Sequence, residues 1–381
     1  MSVKVVIATD KFKGSLSCFE AADAIEMGLK EVSSSFEVIK LPLADGGDGL
    51  SEVISFYINA ETQSIRVLDP LFRPVASTWL LSRNSDIAFI EMAKASGLSL
   101  LEKEKRNPLV MTTYGTGQLI KAAVEKNVQE IIIGIGGSAT NDGGIGMAEA
   151  LGFKFMDKQG RLIKPTGENL INIHCIDSNN KIDLKHIRIQ VACDVKNYLC
   201  GANGAANVYG PQKGALPEDV QQLETGMLHY AGIVKRDLGI DLLQIEGGGA
   251  AGGLGAGCVC FLNARLISGI KMMMQISKAE HFIKNADIVI TGEGRLDRQT
   301  LQGKVVAGVS TLARKFNKEV IAMCGSKEIT STEIEKLGLS AVIAIADNVT
   351  DIEVSMKNAF SLLYMASVRL GKQILSTYNN Q

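Results

Sequence analysis

The stretch that most constrains this chain is residues 131–146, IIIGIGGSATNDGGIG. A β-branched apolar run bounded by glycines reads as an interior strand. The segment after it is almost wholly Gly, Ser, Ala, Thr, Asn and Asp, and a helix-compatible GMAEALG follows. A strand-to-helix turn made of small residues leaves its backbone bare, so an anionic group can approach the N–H groups closely. Gly136, Gly137, Ser138, Asn141 and Asp142 are therefore candidate binding residues, and Asn141 and Asp142 have nothing apolar beside them to pack against. The competing reading is a tight connection whose glycines serve only its sharp geometry.

With 381 residues the chain has material for two domains. Its 40 basic and 41 acidic residues leave a net charge of −1, which gives no electrostatic case for nucleic acid or an anionic membrane surface. The 39 glycines cluster in loops instead of repeating periodically, which favours contact between backbone and ligand over a fibrous or linker role. Seven scattered cysteines, an odd number, suit a reducing compartment, and the four isolated histidines make a structural zinc site unexpected. The N-terminus runs straight into a strand without a signal-peptide core, and no apolar run reaches the roughly twenty residues of a membrane span. A cytoplasmic protein is expected.

Along the chain, a strand over 3–8 is followed by a loop carrying Asp10 and Lys13, then by Ser17 and Glu20 at capping-box spacing before an amphipathic helix. A second strand over 37–43 runs into Asp45 and Asp48 among glycines, with Asp48 read as a helix N-cap and Asp45 as a metal or hydroxyl ligand. Short strands over 64–68, 77–81 and 87–92 are separated by turn formers and read as antiparallel hairpins. An alternating strand over 187–193 ends at Asp194, and a glycine-rich loop after it holds Gln212 and Lys213. A second glycine-rich block over 246–258 contains Gly252 and Gly253, and reads equally as close packing or as a ligand cradle. A strand over 287–291 is predicted to end in a polar loop carrying Glu293 and Asp297, with Lys304 beyond it.

Five strands of parallel character, near 3, 38, 287, 320 and 342, predict an α/β fold with a flavodoxin-like doubly wound parallel sheet. This domain comprises 1–65 plus 284–381, and a mixed α/β domain over 66–283 is inserted into it. Polar clusters from both parts are expected to face a cleft.

The GxxxxGK[ST] phosphate loop, the protein-kinase motif set and a GxSxG elbow are all absent. Two matches to the dinucleotide fingerprint occur, at Gly134-x-Gly136-x-x-Ala139 and Gly247-x-Gly249-x-x-Gly252, the first with Asp157 about twenty residues on. They support a rival reading as an NAD(P)-dependent hydroxy-acid dehydrogenase, although such matches come cheaply in a glycine-rich chain.

The ordered set DKFKGSLS, LPLADGGDG, TTYGTGQLI, GIGGSATNDGG, ACDVKNYLCG, GPQKGA, GAAGGLGAG and TGEGRLDRQTLQGK resembles the type-1 glycerate kinase family, collinearly to about residue 325. The resemblance implies ATP-dependent phosphorylation of D-glycerate with Mg²⁺ in a two-domain α/β protein, the 2-phosphate being favoured over the 3-phosphate. Three departures are Lys11 for a usual Ser, Tyr198 for a common Pro, and Glu246 with three glycines where PGAG is frequent. Phosphoryl transfer needs charge neutralisation and a carboxylate to take the hydroxyl proton. Lys13, Lys213 and Lys304 are the candidate cations. Asp194 or Asp45 is the expected base, Asp10 a further catalytic candidate, and Glu293 and Asp297 the expected metal ligands. A glycerate-binding sensor without turnover is the second rival, and a homo-oligomer is compatible with the sequence.

Overall fold

The computed structural model describes residues 2–44, 50–298, 300–302, 304–346 and 352–378. The chain divides into two compact units, Met1–Asp45 with Gly269–Gln381, and Gly46–Ser268. Both breaks precede the boundaries expected from sequence at 65/66 and 283/284. The helix Leu50–Ile58 packs on strands of the second unit, and the helices Gly269–Ile276 and Ala279–Lys284 pack on the helix Val305–Arg314 of the first.

In chain order the strands are β1 (Val3–Thr9) and β2 (Phe36–Lys40), then β3 (Ala60–Leu68), β4 (Pro74–Ser82), β5 (Ile87–Glu91) and β6 (Glu130–Gly134). They continue with β7 (Lys154–Met156), β8 (Cys175–Asp177), β9 (Arg188–Ala192) and β10 (Arg265–Ile267). The last three are β11 (Ile288–Leu296), β12 (Glu319–Lys327) and β13 (Ala341–Ala344).

The first unit is a parallel sheet in the order β13-β12-β11-β1-β2. Counted within the unit this is 2-1-3-4-5, the flavodoxin-like order, whose ligands bind beyond the carboxyl ends of the strands. Val5, Ile7, Ile288, Ile290, Ile321 and Met323 share a core with the helices Cys18–Val32 and Ala359–Tyr378. The capping box is present: Ser17 Oγ accepts the Glu20 N–H at 3.1 Å, and the Glu20 carboxylate accepts the Ser17 N–H at 2.8 Å.

One element differs from expectation. The segment Gly292–Leu296 is not a loop but the continuation of β11. Because β12 is equally long, it supplies backbone partners as far as Leu296, including Glu293 opposite Cys324 and Arg295 opposite Ser326. Local propensity opposes a strand at Gly-Glu-Gly, and pairing overrides it.

The second unit is a mixed sheet in the order β10-β9-β6-β5-β4-β3. β3, β4 and β5 pair antiparallel, whereas β5, β6, β9 and β10 pair parallel. β6 lies inside the sheet and is buried at every position, as its unbroken apolar run requires.

Candidate active site

Each unit carries one cluster of the sequence-predicted site residues. In the first unit a cavity of about 660 Å³ is lined by Asp10, Lys13, Glu293, Asp297 and Lys304 together with Lys11, Arg295 and Ser326. Ile345, Ile352 and Met356 contribute apolar surface to the same cavity, and the Arg295 guanidinium is paired with Glu328. Asp10 follows β1, where its N–H donates to the Gly292 carbonyl at 2.9 Å and its carboxylate accepts the Lys11 N–H at 2.7 Å. Glu293 stands on the extended part of β11 and is 8% exposed. The Thr300 hydroxyl donates to its Oε1 at 2.6 Å, and the Asp297 N–H donates to that same hydroxyl at 3.2 Å.

Lys304 is the N-cap residue of the ten-residue helix Val305–Arg314, so the cavity also borders a helix start that favours negative charge. A Cβ at Gly294 would lie 3.0 Å from the Lys13 backbone nitrogen and 3.2 Å from the Phe12 Cα. Glycine at this position therefore lets the Asp10–Lys13 loop rest on β11.

In the second unit the turn after β6 is largely closed. Asp142 is fully buried and accepts four hydrogen bonds: from the Thr113 N–H and hydroxyl at 2.7 and 2.8 Å, and from the Gly144 and Gly146 N–H groups at 3.1 and 3.3 Å. Burial pushes its pKa up, and these donors oppose the shift. Lys213, 2% exposed, donates to the Thr140 carbonyl at 2.7 Å and to Ser138 Oγ at 3.3 Å. Burial brings its pKa down to about 7, against the opposing charge of Asp142. Asn141 is fully buried, with neither side-chain polar atom hydrogen-bonded.

Gly136 and Gly137 remain exposed on the turn, whereas Gly252 and Gly253 are buried by packing. A Cβ at Gly252 would meet the Thr140 carbonyl at 2.0 Å, and one at Gly253 would meet Gly143 Cα at 2.8 Å. The second glycine block thus serves backbone-to-backbone approach, and its two central glycines are not open to a phosphate. Asn141 and Asp142, with Thr140, are fully buried in the turn, where the Gly252 backbone approaches Thr140 and Asn141 and Thr113 closes on Asp142.

Asp194 follows β9 and is exposed, and Gln212 is exposed beside buried Lys213. Asp45 and Asp48 lie outside the described residues. Sequence reasoning missed Thr113 and Thr140 as the partners of Asp142 and Lys213, and Tyr230, whose hydroxyl donates to the Gly143 carbonyl at 3.1 Å. The TTYGTG motif contained the signal for Thr113.

The dinucleotide reading does not survive the geometry. The helix after the first fingerprint starts only at Ile145, beyond Ala139. Asp157 closes a turn, its carboxylate accepting from Arg161 Nε at 2.8 Å. Among the described residues no helix is long and apolar enough to cross a membrane, and no group of three or more His, Cys, Asp or Glu side chains could by itself hold a metal.

A doubly wound sheet whose strand ends open on a cavity with cations and carboxylates defines an α/β enzyme that handles an anionic ligand. The Glycerate kinase family model matches residues 5–375, and the chain belongs to this family. It is 42% identical to a glycerate kinase of Halalkalibacterium halodurans over 98% of each chain, and 42% identical to the glycerate 2-kinase of Escherichia coli over 96% of each. A crystal structure from Salmonella typhimurium LT2, provisionally assigned as glycerate kinase 2, superposes with a TM-score of 0.90 and 42% identity over the whole of both chains. The protein is thus a kinase that phosphorylates glycerate with ATP.

Proposed function

We propose that this enzyme converts D-glycerate to its 2-phosphate in the cytoplasm, and that the cavity of the first unit receives ATP. The observation that carries the nucleotide assignment is the two-sided lining of that cavity. Lys11, Lys13 and Lys304 offer charge to phosphates, while Ile345, Ile352 and Met356 offer apolar surface to a base. The name of the Escherichia coli relative favours the 2-phosphate.

Mg²⁺ fits the donor set. It prefers hard oxygen ligands and takes one or two carboxylates plus substrate phosphates, and Glu293, Asp297 and Asp10 are among the residues lining the cavity. Glu293 and Asp297 would hold the ion, which when bound would neutralise charge on the phosphates. Glu293 is the better organised of the two, since burial and the Thr300 hydroxyl fix its orientation.

In transfer, the glycerate hydroxyl oxygen bonds to the γ-phosphorus, the bond from phosphorus to the ADP oxygen breaks, and a carboxylate takes the hydroxyl proton. We assign that proton to Asp194, exposed at the carboxyl end of β9, with Asp45 as the alternative. Lys13 and Lys304 neutralise the transferring group. Gly136 and Gly137 offer an accessible backbone to the glycerate carboxylate. Lys213 acts as a positioning residue: its ammonium is spent on Thr140 and Ser138 and so fixes the turn that carries those glycines.

Proton-coupled ³¹P NMR of the protein with ATP, Mg²⁺ and D-glycerate tests this reading. The 2-phosphate appears as a doublet from one carbon-bound hydrogen. A triplet would overturn the regiochemistry, and no new phosphomonoester would overturn the substrate.

A further inference from the structure

The second unit holds another cavity of about 660 Å³ that takes no part in the chemistry above. It is formed by the turn around Asp157–Arg161, the short helix Gly167–Asn172 and His229 of the long helix Pro217–Leu238. Its charge is one-sided. Lys158, Arg161 and Lys164 face a single carboxylate, Asp157.

That carboxylate is already neutralised. Arg161 Nε and Nη2 each approach it at 2.8 Å, and the Gln159 and Arg161 N–H groups donate to it at 2.8 and 3.0 Å. Asp157 and Arg161 cancel, so Lys158 and Lys164 remain as two surplus cations in a chain whose net charge is −1. Lys164 is held 4.6 Å over the Phe72 ring, which restricts its ammonium.

Two imidazoles complete the lining. His229 Nε2 donates to the Ile173 carbonyl at 2.7 Å, because a carbonyl can only accept, which holds the imidazole in place on the cavity lining. His174 is exposed on the same cavity. Ile163 and Ile171 add apolar surface, and Ile171 is 41% exposed without a covering residue.

We propose that this cavity is a second anion site, taking a small phosphorylated organic acid distinct from the substrate bound for catalysis. Two surplus ammonium groups match a phosphate and a carboxylate on one molecule, and the isoleucines accept the short carbon skeleton between them. The enzyme's own phosphoglycerate product belongs to this chemical class, so the site would sense product. Inorganic phosphate supplies the charge without the skeleton or the second anionic group.

The four histidines of the chain make the test site-specific, since His174 and His229 line this cavity and His186 and His281 do not. The whole enzyme is titrated with phosphoglycerate at constant ionic strength, and the imidazole Cε1–H resonances are followed by NMR. The resonances of His174 and His229 shift saturably while those of His186 and His281 stay, and inorganic phosphate binds at least about tenfold more weakly. The double variant Lys158→Ala, Lys164→Ala loses the shift and keeps turnover.

Equal movement of all four resonances, no movement, or a shift that persists in the double variant would overturn the site. Equal affinity for inorganic phosphate would overturn the organic-acid assignment. Neither result bears on phosphoryl transfer, which the product spectrum tests separately.

Discussion

The two clusters of functional residues contrast in how they spend their polar groups. In the first unit Lys13, Arg295 and Lys304 line an open cavity, and carboxylates share its wall. In the second, Ser138, Thr140, Asp142 and Lys213 are at most 6% exposed and hydrogen-bond within the protein, Lys213 to Ser138 and Thr140 and Asp142 to Thr113. In the proposed division of labour the first cluster presents charge to a ligand, and the second holds a backbone in one shape so that the exposed Gly136 and Gly137 keep a fixed position. On that proposal Lys304 meets a phosphate, whereas Lys213 acts through the turn it pins.

Substitutions that separate chemistry from scaffolding break or sharpen this contrast. The largest effects belong to Glu293→Gln and Asp194→Asn, each expected to lower kcat by a factor on the order of 10²–10⁴. If Asp194→Asn kept near-normal turnover and Asp45→Asn did not, the proton would belong to Asp45.

Next comes Asp142→Asn, which replaces an acceptor of four hydrogen bonds with an amide that places its own donor among them. Roughly 3 kcal/mol of stability should be lost, read by denaturant unfolding, because buried donors are left unsatisfied. A neutral result would mean that the four contacts are not made in solution.

A smaller effect concerns pH. Burial brings the Lys213 pKa down to about 7 from the ordinary lysine value of 10.5. Between those values the unfolded chain binds the proton that the folded chain has lost, so this group makes the fold more stable as pH rises from 7 towards 10. The slope is at most about 1.4 kcal/mol per pH unit. Lys213→Met removes it, which is seen by comparing the pH dependence of unfolding in the two proteins. Parallel pH profiles would show that Lys213 keeps its charge when buried.

Much of the frame was legible in the sequence. The strands near 3, 38, 287, 320 and 342 form the parallel sheet in flavodoxin-like order, because β-branched runs bounded by turns carry a strong local signal. The extension of β11 through Glu293 was not legible, since it depends on a partner strand distant in sequence. The opening turn gave its residue types but not their burial. Asn141 and Asp142 precede two glycines, and their enclosure depends on partners distant in sequence, Thr113 and the approaching 252–257 backbone. The same approach decided between packing and cradle for Gly252 and Gly253, a choice that composition left open.

The most direct test of the division of labour is the ATP dissociation constant of two variants, Lys304→Ala and Lys213→Met, measured by calorimetry beside the parent enzyme. The account predicts that Lys304→Ala weakens ATP binding by about tenfold or more, as loss of a phosphate-facing cation should. Lys213→Met should leave ATP affinity within about twofold and reduce turnover instead. Weakened ATP binding in Lys213→Met with unchanged binding in Lys304→Ala would contradict it, and would put the nucleotide phosphates on the buried lysine of the second unit.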